Sequence, residues 1–304
     1  MAQRNILIVD DDPKVREVLQ QIFDAAGYPC RLVGDGGEAL EVFKVWRPPL
    51  VVADLKMPGM SGIELLRQAR AIDGDVAVIV LTGAADLKTA IESLKLGAHD
   101  FIMKPINIDE LLITVERALE RRQLLIERRQ RQQAHGQRQE TDRTTLGRAD
   151  MAQRDILILV VEEERAVREV LYRIFVAAGY KCLLASDGEQ GLEAFRGSRP
   201  SLIVTDLRMP MVRGGKRVAD AGIQLLKQVR QEDPDAAVIV ESGWADVKPK
   251  ITSLKLGACA FIMKPFLSEE LLFAAERALE RRQLLIERRR HQDRPARPSS
   301  EQGS

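Results

Sequence analysis

Short apolar runs alternate with longer amphipathic stretches along the first part of the chain. Ile6–Val9, Cys30–Val33, Leu50–Ala53, Val76–Leu81 and Phe101–Met103 read as strands, short and mostly β-branched or aliphatic. Between them apolar positions recur with a helical period, as in Val15, Val18, Leu19, Ile22 and Phe23. Runs such as ILIV and VAVIVL are apolar throughout, so both faces of their sheet must be covered, which calls for parallel strands joined by crossover helices. Units of this kind predict a doubly wound α/β domain. In such sheets ligands bind beyond the carboxyl ends of the strands, at the switch in strand order.

The pattern occurs twice. MAQRNILI at 1–8 returns as MAQRDILI at 151–158. At a constant shift of 152, Arg16–Pro58 and Arg168–Pro210 agree at 25 of 43 positions; at a shift of 160, ERALERRQLLIERR of 116–129 recurs unchanged at 276–289. The change of shift places eight additional residues between Pro210 and Gly222. The expected organisation is a first domain over 1–133, a linker over 134–150, a second domain over 151–290 with its insertion around 213–220, and a disordered tail over 291–304.

Composition narrows the class. A chain of 304 residues suits two domains, and 45% apolar with 30% charged residues excludes disordered, collagen-like and membrane-embedded proteins. Lys+Arg 46 against Asp+Glu 45 leaves a formal charge of +1, so no global field recruits nucleic acid or an anionic membrane, and a basic patch is local. Cys30, Cys182 and Cys259 lie too far apart for a disulfide scaffold or a zinc site, which fits a reducing cytoplasm. No stretch approaches the ~18 apolar residues of a membrane span, and the Ile6–Val9 run is too short for a signal peptide, so a cytoplasmic location without a membrane partner is expected.

The strand ends carry the chemistry. Asp10 and Asp11 follow the first strand, Asp54 the third, Thr82 the fourth and Lys104 the fifth. Asp12, followed by Pro13, reads as a helix cap. Carboxylates that converge repel one another unless a cation joins them, and an all-oxygen set suits Mg²⁺. A lysine there pairs with a carboxylate or holds a phosphoryl oxygen, and a threonine hydroxyl donates to that oxygen. The combination describes phosphoryl transfer, with Asp54 as the nucleophile that forms an acyl phosphate.

The motifs ILIVDDDP, VVADLKMPGMSG, VIVLTGAAD and FIMKP, in this order and spacing, resemble the receiver domains of two-component response regulators. The resemblance implies a tandem of two flavodoxin-like (βα)5 domains without an output domain, each a five-stranded parallel sheet with helices on both faces. It makes Asp54 the phospho-acceptor and gives Mg²⁺ to Asp11, Asp54 and the backbone carbonyl of Lys56, supported by Asp10. It pairs Thr82 with Phe101 as the switch and makes Pro105 a cis-proline that aims Lys104. The implied donor is a histidine kinase or phosphotransfer protein, and the implied output is a contact with a downstream protein. Such a protein is a signalling switch that catalyses its own phosphorylation, not a turnover enzyme. His99, whose counterpart is Cys259, is expected at the surface and not as a phosphoryl donor.

The second copy carries Glu162, Glu163, Asp206, Ser242, Phe261, Lys264 and Pro265 at the matching places, with the carbonyl of Arg208 in the role of Lys56. Glu163 replaces the usual Asp with a side chain one methylene longer, although the ion demands tight octahedral distances. The insertion adds Arg213, Lys216 and Arg217 to the loop beside the acceptor. Asp54 is therefore expected to accept phosphoryl readily, and Asp206 weakly or not at all.

Each last helix, starting at Asp109 or Ser268, is expected to run five turns or more. Leu112, Val115, Leu119 and Ile126 form a seam broken by Arg122, and 116–131 carries six Arg against three Glu. The identity of the two helices favours a symmetric contact, either between the copies or between two chains. Nucleic acid is not the expected partner, since neither aromatic interleaving nor a helix-turn-helix accompanies the arginines. The competing reading is a dimerising scaffold with one or both receivers inert. A phosphatase of the haloacid dehalogenase type wants a second Asp two residues after its nucleophile, where this chain has Lys56 and Arg208.

Overall fold

In the computed structural model, which describes residues 4–83, 86–136, 156–209, 211–213, 216–218, 221–243 and 247–292, every run read as a strand is one. The first half runs β1 (Ile6–Val9), α1 (Pro13–Ala25), β2 (Cys30–Val33), α2 (Gly36–Trp46), β3 (Leu50–Asp54), α3 (Gly62–Ile72), β4 (Ala77–Thr82), α4 (Leu87–Lys95), β5 (Asp100–Met103) and α5 (Ile108–Gly136). Its strands are all parallel and ordered β2-β1-β3-β4-β5. One apolar cluster, including Ile8, Phe23, Ile79 and Val115, lies between the sheet and the face of α1 and α5. A second, including Val9, Phe43, Leu65 and Val80, fills the opposite face under α2 and α3. Continuous apolar strands are what this two-sided burial requires.

Asp12 caps α1 as expected: its side chain accepts from the Lys14 N–H at 2.9 Å, and Pro13 opens the helix. Helix α5 continues to Gly136, past the expected domain end at 133, and 137–150 lie outside the described residues.

The second half repeats the order with β6 (Leu157–Val161), α6 (Arg165–Ala177), β7 (Lys181–Ala185), α7 (Gly188–Ser198), β8 (Leu202–Asp206), α8 (Ala221–Glu232), β11 (Ala237–Gly243), α9 (Val247–Lys255), β12 (Ala260–Lys264) and α10 (Ser268–Gln292). Its sheet is ordered β12-β11-β8-β6-β7. The insertion forms a two-stranded antiparallel ribbon, β9 (Met211–Arg213) with β10 (Lys216–Val218). The tail from 293 onward lies outside the described residues. None of the helices described is long and apolar enough to cross a membrane.

Hydrogen bonds cross between the halves in matched pairs. Arg117 of α5 donates to the carbonyls of Leu254 at 2.8 Å and Cys259 at 3.3 Å, while Arg277 of α10 donates to those of Ala98 and of His99, the latter at 2.7 Å. Arg121 pairs with Glu280 and Arg281 with Glu120, each at 2.7 Å. Lys95 pairs with Glu269, and Lys255 with Asp109 at 2.8 Å. Three sets exchange halves exactly, Arg117–Cys259 with Arg277–His99, Arg121–Glu280 with Arg281–Glu120 and Lys95–Glu269 with Lys255–Asp109, the self-complementary pattern of a two-fold interface, whereas Arg117 adds Leu254 and Arg277 adds Ala98. Arg122, which interrupts the apolar seam, turns to its own half and pairs with Asp73 at 3.0 Å; Arg282 does the same with Asp233 at 2.7 Å.

His99 departs from its expected place at the surface. Arg277 of the other half lies against it, with one guanidinium nitrogen 3.3 Å from Nδ1. Burial, then the charges of Arg277, Arg121 and Arg117, hold its pKa well below the ordinary imidazole value.

Candidate functional site

The carboxyl edge of the first sheet assembles the residues read from the strand ends. The registers Val9↔Ala53, Asp54↔Leu81 and Thr82↔Met103 bring the ends of β1, β3, β4 and β5 side by side, so that residues far apart in sequence meet. Asp10 is fully buried; one of its oxygens accepts from the Asp12 N–H at 2.9 Å and the other faces Lys104 Nζ at 2.9 Å. The same ammonium lies 3.2 Å from Asp54, whose Oδ1 accepts from the Leu55 N–H at 2.9 Å. Lys104 precedes a cis Pro105, as Lys264 precedes a cis Pro265.

Close packing sets the position of Asp54. Gly62, at the start of α3, lies so near the Asp54 carbonyl that a Cβ there would overlap its oxygen; Gly222 stands the same way to Asp206. Thr82 is buried, with its hydroxyl donating to the Gly83 carbonyl at 3.2 Å. Phe101 packs, partly buried, against the apolar cluster under α2 and α3. The side chain of Lys56 pairs with Asp86 at 2.6 Å. Arg16, which the sequence reading passed over, donates to the carbonyls of Asp10 at 2.5 Å and Asp11 at 3.1 Å and ties down the acidic turn.

Burial raises the pKa of Asp54, and the charge of Asp10 adds to the rise while Lys104 opposes it. Burial works against the ammonium of Lys104, yet the hydrogen bond and charge of Asp10, with Asp54, carry its pKa upward. The buried setting disfavours added negative charge at Asp54, and the protonated Lys104 beside it is the cation placed to offset such charge.

Asp10, Asp11 and Asp54 each offer an oxygen, all within 4.8 Å of one another. Three hard oxygen donors so close fit a divalent cation of the Mg²⁺ type, which would offset their repulsion. Among the described residues, this is the only group of three such ligands in that range.

The second edge keeps the plan with changed dimensions. Glu162 is buried, accepts from the Glu164 N–H at 2.9 Å and faces Lys264 at 2.6 Å, while Lys264 stands 3.5 Å from Asp206. Ser242 is buried and Phe261 packs against the second half's apolar cluster, while Glu163 is exposed. Arg208 donates a backbone hydrogen bond to Asp206, whose pKa is raised by burial and by Glu162.

A further acid escaped the reading of strand ends. Glu241 is fully buried on β11 where the first copy has Leu81; its side chain lies against the Glu162 carboxyl, and no donor group among the described residues meets its oxygens. Burial, with the charges of Glu162 and Asp206 adding and Lys264 opposing, pushes its pKa up to about 8. The signal was present in the repeat: AVIVES replaces AVIVLT, a single charge in an otherwise apolar strand.

The family model for the response regulator receiver domain matches residues 6–116 and again 158–276. The chain belongs to the response regulator receiver family. Its two halves are thus two receivers, and receivers are the phosphorelay switches of two-component systems. Sporulation initiation phosphotransferase F of Bacillus subtilis is 39% identical over 119 residues, which cover 39% of this chain and 96% of that protein. The C4-dicarboxylate transport transcriptional regulatory protein DctD of Pseudomonas aeruginosa is 38% identical over 184 residues, 57% of this chain and 40% of that protein. The match spans less than half the length of that relative. Among solved structures, a response regulator receiver domain protein from Clostridium thermocellum is 32% identical, with 40% of this chain and 98% of that chain covered and a TM-score of 0.39.

Proposed function

We propose that receiver 1 accepts a phosphoryl group from the phosphohistidine of a histidine kinase or phosphotransfer protein onto Asp54, and that the change passes to a downstream protein through receiver surfaces. The observation that carries this reading is Lys104, held 2.9 Å from Asp10 and 3.2 Å from Asp54 beside a cluster of three carboxylate oxygens. In the transfer, an Asp54 carboxylate oxygen forms a bond to phosphorus as the phosphorus–nitrogen bond breaks, and the electron pair leaves with the imidazole. Asp10, Asp11, Asp54 and the Lys56 carbonyl are the groups that would hold Mg²⁺. The ion supplies charge neutralisation at the transferring oxygens. Lys104 supplies a second positive charge, and Thr82 is the hydroxyl placed to donate to a phosphoryl oxygen, with Phe101 as its partner in the switch.

Receiver 2 carries the same roles on Asp206, Lys264, Ser242 and Phe261, with Glu162, Glu163 and the Arg208 carbonyl toward the metal, and is the weaker acceptor. Its lysine stands farther from the acceptor, at 3.5 Å, and its second acid is Glu163. The two receivers work as an intramolecular pair through α5 and α10, a reading supported by the reciprocal contacts of Arg117 with Cys259 and Arg277 with His99, and of Arg121 and Arg281 with Glu280 and Glu120. Those contacts also favour the second reading, a scaffold whose receivers are inert.

Incubation with acetyl phosphate and Mg²⁺, followed by mass spectrometric mapping in the wild type and in Asp54→Asn and Asp206→Asn variants, separates the two. The expected result is label on Asp54, little on Asp206, and none at 54 once Asn replaces Asp or a chelator removes the metal. Equal labelling of both sites refutes the asymmetry. Absence of label from both leaves the scaffold.

A further inference from the structure

Leu81 and Glu241 occupy one place in the two sheets, opposite Asp54 and opposite Asp206. In receiver 1 that place belongs to the apolar cluster beneath α1 and α5. In receiver 2 it holds a fully buried carboxyl group that lies against the Glu162 carboxyl and whose oxygens meet no donor group among the described residues. A buried polar group in that condition gains more from a nearby ammonium than a solvated one does. The ammonium within reach is Lys264, 4.0 Å away.

The setting of the two lysines differs accordingly. Lys104 divides itself nearly evenly between Asp10 at 2.9 Å and Asp54 at 3.2 Å. Lys264 sits 2.6 Å from Glu162 and 3.5 Å from Asp206, displaced toward the inner acids.

We propose that Glu241 is a positioning residue that holds Lys264 on the inner side of the second site and so withholds its ammonium from a phosphoryl group arriving at Asp206. This inference rests on the reading of Asp54 and Asp206 as acceptor positions. With acetyl phosphate as donor, an Asp206 carboxylate oxygen forms a bond to phosphorus while the bond from phosphorus to the acetyl oxygen breaks, and acetate leaves with the electron pair. The oxygens of the moving group need a cation throughout that exchange. A lysine shared among three inner and outer acids meets the need less well than one shared between two. Ionised or protonated, residue 241 presents an oxygen acceptor where Leu81 presents methyl groups.

The test uses the full chain with acetyl phosphate and Mg²⁺, reading both aspartates by mass spectrometry in the wild type, Glu241→Leu, Glu241→Met and Glu241→Gln. Leu restores the residue of receiver 1, Met removes the acceptor with less change of length, and Gln retains an acceptor oxygen. Label on Asp206 is expected to rise about tenfold in the Leu and Met variants and to stay near wild type with Gln. Asp54 labels equally in all four. An unchanged Asp206 in both apolar variants overturns the inference. So does an equal rise with Gln, which would assign the effect to charge alone. Absence of label from Asp54 defeats the underlying reading instead, whatever Asp206 does.

Discussion

At the scale of single residues, Asp54 is a compromise between folding and chemistry. Its pKa is raised by burial, so the folded protein holds the proton more tightly than the unfolded chain. The stability from that difference is present below the unfolded carboxylate value and is lost as pH rises through the folded one. At neutral pH the ionised side chain therefore costs stability, and Asp54→Asn is expected to melt about 2–4 °C above wild type in a chelator, a gain that vanishes near pH 3. Equal melting temperatures at neutral pH would contradict this. Gly62 gives a second expectation from geometry: Gly62→Ala drives a methyl group into the Asp54 carbonyl oxygen. It should cost about 1–3 kcal/mol in urea unfolding and slow labelling of Asp54, because the loop that carries the acceptor must shift. Both residues were legible in different degrees. The acid at a strand end was visible in sequence, while the need for glycine opposite its carbonyl appears only once α3 is docked.

At the scale of elements, the long helices have two different edges. One side of α5 closes the core through Leu111, Val115 and Ala118, and ties to its own half through Arg122 and Asp73. Another side sends Arg117 to carbonyls at the end of α9 and beyond. Burial pulls Arg117 and Arg277 down to about 10, which leaves both charged at neutral pH, where each satisfies backbone oxygens of the other half. His99 lies in this contact with a depressed pKa. The stability it contributes is present above the unfolded imidazole value and is lost as pH falls below it. From about pH 7.5 to about pH 5.5 the wild type should therefore lose melting temperature that His99→Cys, carrying the residue of the second half, retains. Parallel curves for the two proteins would remove His99 from the contact. Periodicity located these helices and their apolar stripe, but read Arg122 as a flaw in a seam. It is a tether, because the residue it meets, Asp73, caps the end of α3, distant in sequence.

At the scale of the whole molecule, the proposed pairing of the two receivers would let one duplicated chain carry both sides of a two-fold contact. Arg121–Glu280 and Arg281–Glu120 are the same pair written twice. Half-exposed ion pairs contribute little singly, so the informative quantity is their coupling. Arg121→Glu should loosen the contact, Glu280→Arg should do likewise, and the two together should recover about 1 kcal/mol of coupling in a double-mutant cycle of thermal unfolding. Zero coupling would mean that the halves do not pair in solution.

The apolar strands, their order of helices, the duplication, the eight added residues and the acids, hydroxyl and lysine at the carboxyl edge all followed from the sequence. They are local in nature: period, turn chemistry and repeat are written into neighbouring residues, and a doubly wound sheet sends every strand end to one side. What needed the tertiary structure was decided by distance across elements. The division of Lys104 between two acids and of Lys264 among three, the approach of Gly62 to a carbonyl, the place of His99 and the exchange of arginines between halves all join residues remote along the chain. Side-chain reach and burial settle such contacts, and neither is a property of any one segment.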